Sequence, residues 1–248
     1  TPAKAEELYP HTSELRASLL EQITAEAKRS NVLRIAVPRP DNFNAGLTNL
    51  DVLPTIEQES LDNEIRLLRG DEEAFFFDGI ILKPTEAALI MTGDCHTIAT
   101  WSDDPSEPVV AAHAGRNSLH TVLNNNHTNG VDSVVDAIMQ QYCDPTAVHV
   151  RIVAGIDKET FSHPLDHPDY AENNKQLINH FAQFGAAGPD DQTGRLDMAK
   201  AITKQFTNYG VQSEQVTHDG LDTATDERLW SNRIDGKPRN CIFVANKS

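Results

Sequence analysis

A cysteine and a histidine stand out because each follows an apolar run and lies among small residues. The first run leads to Gly-Asp-Cys-His, which contains Cys95, and the second leads to His-Ala-Gly, which begins with His113. The two residues are eighteen positions apart in the sequence. If the apolar runs are strands of one sheet, the thiol and the imidazole can meet at their ends, either as nucleophile and base or as two ligands of one metal ion.

The residues alone leave the role of this pair open. Cys95 lies between Asp94 and His96, and a thiol becomes reactive when an imidazole or a positive neighbour stabilises its thiolate. A buried cysteine is equally well a small apolar core residue, and a histidine that closes a strand is often only structural. His163 and His167 have the spacing of a helical metal pair, but the prolines around them favour a loop, which lacks that geometry.

The elements that must position the pair are predicted from hydrophobic periodicity. Uninterrupted apolar runs at 87–91 and 109–112 indicate strands buried on both faces between helices. Further strands are predicted at 32–40, 65–68, 74–82, 148–156, 214–218 and around Cys241, and helices at 4–30, 131–143, 171–184 and 196–211, the last closed by Gly210. Residues 41–55 read as turns and loop, and the aromatic run 75–77 reads as core. With no internal repeat and no linker, residues 1–248 are expected to form a single domain.

Composition narrows the function classes. The 21 Lys and Arg residues against 37 Asp and Glu residues give a formal charge of −16, which repels nucleic-acid backbones and anionic membrane surfaces. The three cysteines are widely spaced and form no CxxC pair, so neither a disulfide framework nor a zinc-finger knuckle is indicated. We therefore expect a cytoplasmic protein with no nucleic-acid or membrane partner. The sequence leaves its oligomeric state open.

Several separated segments, taken in order, resemble one known family. They are GDCHTIAT at 93–100, VVAAHAGRNSLHTVL at 109–123, RIVAGI at 151–156, GRLDMAKAITKQFTNYGV at 194–211 and DERLWSNRIDG at 226–236. Together they resemble the laccase-domain family, which is named for multicopper polyphenol oxidase and is associated with purine nucleoside phosphorylase activity. The best match runs over residues 77–248, about two-thirds of the chain.

The resemblance implies a fold, a metal site and a reaction. The fold is an α+β single-domain sandwich of mixed β-sheets flanked by helices, also likened to the catalytic domain of cytotoxic necrotising factor. The metal is zinc, or possibly copper, bound by the cysteine, by the His-Ala-Gly histidine and by a further histidine upstream. The reaction is phosphorolysis of purine nucleosides, with phosphate as co-substrate, or deamination of adenosine.

Residue by residue, the resemblance gives each motif position of this chain a role. Cys95 and His113 become the metal ligands and, with Asp94, the catalytic set, in which Asp94 orients the site. The predicted contacts to substrate or phosphate are Arg116, Asn117, Ser231 and Arg233. The expected partner is thus a small purine nucleoside.

The chain departs from the family pattern at the site itself. The upstream segment at 57–68 contains no histidine, and Glu59 and Asp62 are the nearest carboxylates that can replace the third ligand. The family's Trp-Arg-Gly becomes Arg116-Asn117-Ser118, its Tyr-Arg-Arg becomes Asn232-Arg233-Ile234, and His218 and Asp219 lie near the position of a family cysteine. Two alternatives therefore stand beside the metalloenzyme: a catalytically impaired member that binds a small ligand or partner, and a metal-free cysteine hydrolase or deamidase using Cys95 and His113.

Overall fold

A computed structural model describes residues 13–38, 46–51, 56–61, 64–70, 77–120, 132–235 and 239–247. The helices in this part of the chain are α1 (Ser13–Arg29), α2 (Val134–Met139), α3 (Ala171–Ala182) and α4 (Met198–Asn208). The strands are β1 (Arg34–Val37), β2 (Leu47–Asn49), β3 (Ile56–Ser60), β4 (Arg66–Gly70), β5 (Gly79–Leu82), β6 (Glu86–Thr92), β7 (His96–Ser102), β8 (Val109–Ala114), β9 (Val148–Val153), β10 (Val216–His218) and β11 (Asn240–Ala245).

The strands form two mixed sheets, as the predicted fold class requires. The first has the order β11-β6-β1-β4-β3, in which β1 pairs in parallel with both β4 and β6. The second has the order β10-β9-β7-β8-β5-β2, and its central strands β9, β7, β8 and β5 pair antiparallel. The prediction of an α+β sandwich of mixed sheets is therefore confirmed.

The two sheets pack face to face, and the alternation of side chains along their strands shows it. On β1 of the first sheet, Ile35 packs toward α1, whereas its neighbour Ala36 joins a cluster with Ile80 and Ala111 of the second sheet. Successive side chains of a strand point to opposite faces, so uninterrupted apolar runs such as residues 87–91 bury both faces. The layers are thus helix, sheet, sheet and helices.

Helices α2, α3 and α4 cover the outer face of the second sheet. Their apolar residues join Ile98 and Ala112 of that sheet in the largest core cluster, where Phe181 and Phe206 are fully buried. Asp197 caps α4 by accepting a hydrogen bond from the backbone N–H of Lys200 at 2.9 Å. No helix in the described part of the chain has the length and apolarity needed to cross a bilayer.

The loop prediction for residues 41–55 was wrong in one place. It contains β2, whose Leu47 pairs with Gly79 of β5. A strand of three residues has too little alternation to be seen in sequence, and its backbone hydrogen bonds depend on a partner far along the chain. The helix predicted over 131–143 is shorter in the structure, where α2 ends at Met139. The chain turns there, and the hydroxyl of Tyr142 donates to the carbonyl of Pro108 at 3.0 Å.

A strand that was not predicted separates the two runs that opened the sequence analysis. Strand β7 begins directly after Cys95 and lies between β8 and β9 in the second sheet. Cys95 therefore occupies the turn between β6 of one sheet and β7 of the other, rather than a strand end beside β8. The predictions for residues 4–12 and for Phe75 and Phe76 lie outside the described residues.

Candidate functional site

Strands β7 and β8 bring the predicted cysteine and histidine together. They pair antiparallel with Thr97 opposite His113 and His96 opposite Ala114. The chain before β7 therefore runs beside the chain after β8, so that Cys95 lies close to His113. Cys95 is partly exposed and His113 is buried. The juxtaposition follows from strand register and not from the eighteen-residue spacing.

Asp78 orients the imidazole of His113. Its carboxylate Oδ1 lies 3.3 Å from Nδ1 of His113, and its carbonyl accepts the His113 backbone N–H at 2.7 Å. Both side chains are buried, and Asp78 precedes β5, the strand that pairs with β8. With Nδ1 held by the carboxylate, the second ring nitrogen, Nε2, is left to interact with Cys95 or with a metal ion.

The charges around His113 favour its protonated form when Cys95 is a thiolate. Burial alone would lower the pKa of His113, but the Cys95 sulfur and the Asp78 carboxylate together raise it to about 10. Cys95, His113 and Asp78 thus form a line of thiol, imidazole and carboxylate. This is the arrangement of a cysteine nucleophile with its base and orienting group, and also of two metal ligands with a carboxylate behind the histidine.

Asp94, the residue before Cys95, holds the C-terminal turn that carries Arg233. Its Oδ1 accepts hydrogen bonds from the Ser231 hydroxyl at 2.7 Å and from the Asn232 backbone N–H at 3.1 Å. Its Oδ2 accepts the Arg233 backbone N–H at 3.0 Å, and the Thr223 hydroxyl donates to Oδ1 at 3.1 Å. Asp94 is buried, so these bonds hold the backbone of Arg233 against the turn that contains Cys95.

Ser231 is fully buried, and its hydroxyl is engaged by Asp94. The structure therefore gives Ser231 a positioning contact, and its predicted contact with substrate stays a prediction. Arg116 and Asn117 follow β8 in a tight turn, in which the Gly115 backbone N–H donates to the Ser118 hydroxyl at 2.8 Å. Arg116 is exposed and Asn117 is partly exposed, so their side chains are accessible to a ligand.

A third segment, which precedes α3, approaches the same place. The guanidinium carbon of Arg233 lies 4.7 Å from the ring centre of Phe161, and the ring of His163 meets the same phenyl ring edge-on at 4.6 Å. His163 is buried, and neither ring nitrogen has a hydrogen-bond partner among the described residues. Burial first, and then the charges of Arg116 and Arg233, lower the pKa of His163 to about 3.

His163 and His167 therefore do not form a pair. The segment that contains them is not helical, as its prolines predict. His167 instead packs its ring against Tyr170 at 4.9 Å and accepts the Asp169 backbone N–H at 3.2 Å. Phe161 and Asp78 were not singled out in the sequence. The one signal for Asp78 is a carboxylate inside an otherwise apolar run, which requires a polar partner once it is buried.

His96 lies on the opposite face of β7 from His113. Its ring rests on Gly155, where an added Cβ would lie 2.5 Å from the ring atoms, so the small residues after β9 do permit the close approach expected from sequence. The ring of His218 lies 5.5 Å away, and Asp219 accepts the Ala154 backbone N–H at 3.1 Å. His218 and Asp219 thus support the β9 end of the sheet, next to the cysteine.

The donor set for a metal ion fits in part. A thiolate and an imidazole are ligands that zinc accepts, and Asp78 occupies the place of the carboxylate that commonly orients a metal-binding histidine. No group of three or more His, Cys, Asp or Glu side chains suited to a metal occurs among the described residues. Asp62 and the side chain of Glu59, the predicted replacements for the third ligand, lie outside the described part of the structure.

Most of the chain matches the model of a known protein family. The family model described as "Multi-copper polyphenol oxidoreductase laccase" matches residues 55–244 of the chain. That match includes the turn at Cys95, the end of β8 and the turn at Arg233. Among proteins with curated functions, none matches the chain significantly.

Three crystal structures share the fold. YlmD from Geobacillus stearothermophilus superposes with a TM-score of 0.65 at 14% identity, over 100% of this chain and 87% of YlmD. The hypothetical protein YfiH of Bacillus licheniformis gives 0.62 at 14% identity, over 91% of this chain and 79% of YfiH. Protein NMB0706 of Neisseria meningitidis, of family DUF152, gives 0.60 at 15% identity, over 93% of this chain and 79% of its own. At these identities the similarity shows the fold.

Proposed function

The chain belongs to the multi-copper polyphenol oxidoreductase laccase family, and from that premise we propose that it is a divergent enzyme of purine nucleosides. The proposed reaction is phosphorolysis, deamination of adenosine, or both. The observation that carries the proposal is that Cys95 and His113 meet at adjacent strand ends, where Arg116 follows β8 and the backbone of Arg233 is bonded to Asp94. A thiol and an imidazole near two guanidiniums suit a reaction in which an oxyanion such as phosphate takes part, because the guanidiniums can bind and neutralise its charge.

The arginines supply what phosphorolysis needs. In this reaction a phosphate oxygen bonds to C1′ of the ribose while the bond from C1′ to the purine nitrogen breaks, and the electron pair leaves with the base, which takes up a proton. Arg116 and Arg233 can bind the phosphate and neutralise its charge as it approaches the sugar. Asp94 holds Arg233 in place through the backbone of the Ser231–Asp235 turn.

Cys95 and His113 are the residues that would hold a zinc ion, with copper as the alternative, and the ion would supply Lewis-acid chemistry there. Asp78 contacts Nδ1 of the His113 ring, which leaves Nε2 available for the ion. The identity of the substrate as a purine nucleoside rests on the resemblance of the Asp-Cys and His-Ala-Gly motifs to the family. Metal, phosphate co-substrate and purine specificity are all parts of the proposal.

A direct assay tests it. Purified protein is incubated with adenosine or inosine, with and without phosphate, and free base and ammonia are quantified by chromatography, while zinc and copper are measured by mass spectrometry. We expect phosphate-dependent base release or ammonia release, and a metal content near one per chain. Protein that contains neither metal and releases neither base nor ammonia contradicts the proposal.

A second candidate is a metal-free cysteine hydrolase or deamidase, and one observation favours it. The Cys95 sulfur and the Asp78 carboxylate raise the pKa of His113 to about 10, and a charged imidazole beside a sulfur is the surrounding that favours a nucleophilic cysteine. The Cys95 sulfur would bond to a carbonyl carbon, the amide nitrogen would leave with a proton from His113, and water would then hydrolyse the thioester.

Alkylation separates the two candidates. If Cys95 is an activated thiolate, iodoacetamide modifies it at neutral pH much faster than it modifies Cys143, an exposed cysteine that serves as the internal control. Mass spectrometry of peptides gives both rates in one sample. Equal rates, after removal of any metal with a chelator, argue against the hydrolase. Ligand binding without turnover in all these assays would instead identify the impaired family member that only binds.

A further inference from the structure

The two nitrogens of His163 are the least explained polar groups near the site. The ring is only 4% exposed, yet neither nitrogen has a hydrogen-bond partner among the described residues. Its backbone N–H is satisfied by the Gly194 carbonyl at 2.9 Å, so the segment itself is anchored and the unpaired groups belong to the side chain alone. Leaving a buried polar group unpaired costs about 1–3 kcal/mol, so these nitrogens require a partner from outside the protein, either a water molecule or a bound ligand.

The position of His163 points to the chemistry of such a ligand. Phe161 places it near Arg233, since both the guanidinium and the imidazole contact the same phenyl ring at 4.7 and 4.6 Å. The positive charges of Arg116 and Arg233 both act on the imidazole and keep it neutral, together with burial. On this arrangement, an anion bound by the two guanidiniums would lie near a neutral histidine.

A neutral imidazole has one N–H donor and one lone pair. Guanidiniums are donors only, and their positive field favours the tautomer whose lone pair, rather than whose N–H, points toward them. An anion between the arginines thus meets an acceptor as well as two cations. That acceptor repels an oxyanion with no hydrogen and receives a hydrogen bond from an oxyanion that carries an O–H group.

We infer that His163 selects a phosphate that carries an O–H group over a fully deprotonated oxyanion of the same shape, such as sulfate, at the Arg116–Arg233 site. The inference rests on the proposed function, because it specifies how the phosphate co-substrate is recognised. At neutral pH inorganic phosphate retains at least one O–H, whereas sulfate retains none. Sites that hydrogen-bond a ligand hydroxyl discriminate strongly against an analogue that lacks it.

The test is calorimetric titration of the full chain with inorganic phosphate and with sulfate, at matched ionic strength and without nucleoside. We expect wild-type protein to bind phosphate about tenfold or more tightly than sulfate. His163→Phe keeps the aromatic volume against Phe161 and should bring the two affinities to within about twofold of each other, mainly by weakening phosphate. His163→Gln, which retains an acceptor, should restore part of the preference.

Arg195→Gln is the matched control. Arg195 lies opposite Ser162 in a bridge beside His163, but its guanidinium binds Glu159 at 3.0 Å, so its loss should leave both affinities unchanged. Equal binding of phosphate and sulfate by the wild type overturns the inference, as does an absence of phosphate binding or a preference that survives in His163→Phe. Because wild-type selectivity is itself a test, a variant that fails to fold does not remove it.

The binding measurement also separates this inference from the proposed function. Selective phosphate binding without base release from any purine nucleoside supports the role of His163 and contradicts phosphorolysis. Phosphate-dependent base release by a protein that binds phosphate and sulfate equally supports phosphorolysis and contradicts the role of His163.

Discussion

The two ends of strand β7 differ in whether their polar side chains have hydrogen-bond partners within the protein. At the Ser102 end, His149 binds Asp103 at 2.9 Å and stacks on Trp101 with ring centres 5.5 Å apart. One residue before Trp101, Thr100 shares a hydrogen bond of 2.8 Å with the hydroxyl of Tyr142. The polar groups at this end have found partners within the protein, as is usual for a stable surface of a fold.

At the His96 end, polar groups are buried without such partners. The Thr97 hydroxyl and one ring nitrogen of His96 have no hydrogen-bond partner among the described residues, and both side chains are almost fully buried. His163, from another segment, adds two more unpaired nitrogens. The unpaired groups thus cluster at the end of β7 that carries the candidate site, where a ligand or a water molecule can supply the missing partners. Four variants sharpen this contrast.

Cysteine replacement at the two ends gives the largest expected difference. Cys95→Ala removes the nucleophile or metal ligand and should lower the turnover of the substrate by about a thousandfold. Cys143→Ala, near the opposite end of β8, should change turnover by less than about twofold, because that exposed side chain has no role in the site. Initial rates of base or ammonia release measure both. Similar losses of turnover in the two variants would contradict a specific role of the Cys95 region in the reaction.

Gly155→Ala should destabilise the His96 end of β7, because the added methyl group crowds the His96 ring. Gly155 has φ of +148°, and its added Cβ would lie 2.5 Å from the His96 ring. Strain and overpacking together should cost about 3 kcal/mol of unfolding free energy. Gly220→Ala is the control, since Gly220 also has positive φ, +74°, but has no atom within 4 Å of the new Cβ. Its cost should be about 1 kcal/mol. Urea denaturation measures both, and equal costs would mean that the contact with His96 is unimportant.

Asp94→Asn tests how the C-terminal turn is held at the site. The amide retains one acceptor but replaces the other oxygen with a donor that faces backbone N–H groups of Asn232 or Arg233. We expect a loss of about 2–3 kcal/mol in unfolding free energy, and phosphate binding weaker by about tenfold as Arg233 loses its position.

Asp226→Asn is the control for this change. Asp226 is also a carboxylate in the C-terminal region, and its oxygens bind the exposed Arg228 side chain. Because the Arg228 side chain extends into solvent, this ion pair contributes little to stability, and the variant should keep both its stability and its phosphate affinity. If the Asp94 variant kept full stability and full phosphate affinity, the turn would not depend on this carboxylate.

Sequence predicted the parts of this site whose signals are local. Cys95 and His113 follow strong apolar runs, Arg233 and Ser231 lie in a recognisable motif, and Gly210 closes its helix with φ of +102°. The layered sheets also follow from runs long enough to be buried on both faces. Each of these properties depends on about ten neighbouring residues, the range over which hydrophobic periodicity and helix capping can be recognised in a sequence.

The remaining parts depend on contacts between distant segments. Asp78 reaches His113 only because β5 pairs with β8, and β2 exists only because β5 offers it an edge. His163 was weighed as one half of a metal pair with His167, because spacing was the sole signal available. Its actual neighbours, Arg233 and Phe161, are set by tertiary packing. Pairings of this kind leave no periodic trace in one sequence.

The smallest expected effect is in acid stability, and it tests whether the buried histidine is held neutral. The pKa of His163 is about 3 in the folded protein and about 6.5 in an unfolded chain, so below about pH 6.5 the unfolded state binds a proton that the folded state refuses. Stability is therefore constant above that pH and falls as the pH decreases, by about 2 kcal/mol at about pH 5 from this group. His163→Phe should remove that part of the decrease between about pH 7.5 and pH 5 in urea unfolding, whereas His149→Phe, at the satisfied end, should retain it. If the unfolding free energy fell equally with pH in both variants, His163 would accept its proton in the folded state. The His96 end of β7 would then tolerate a charged histidine as well as the Ser102 end does.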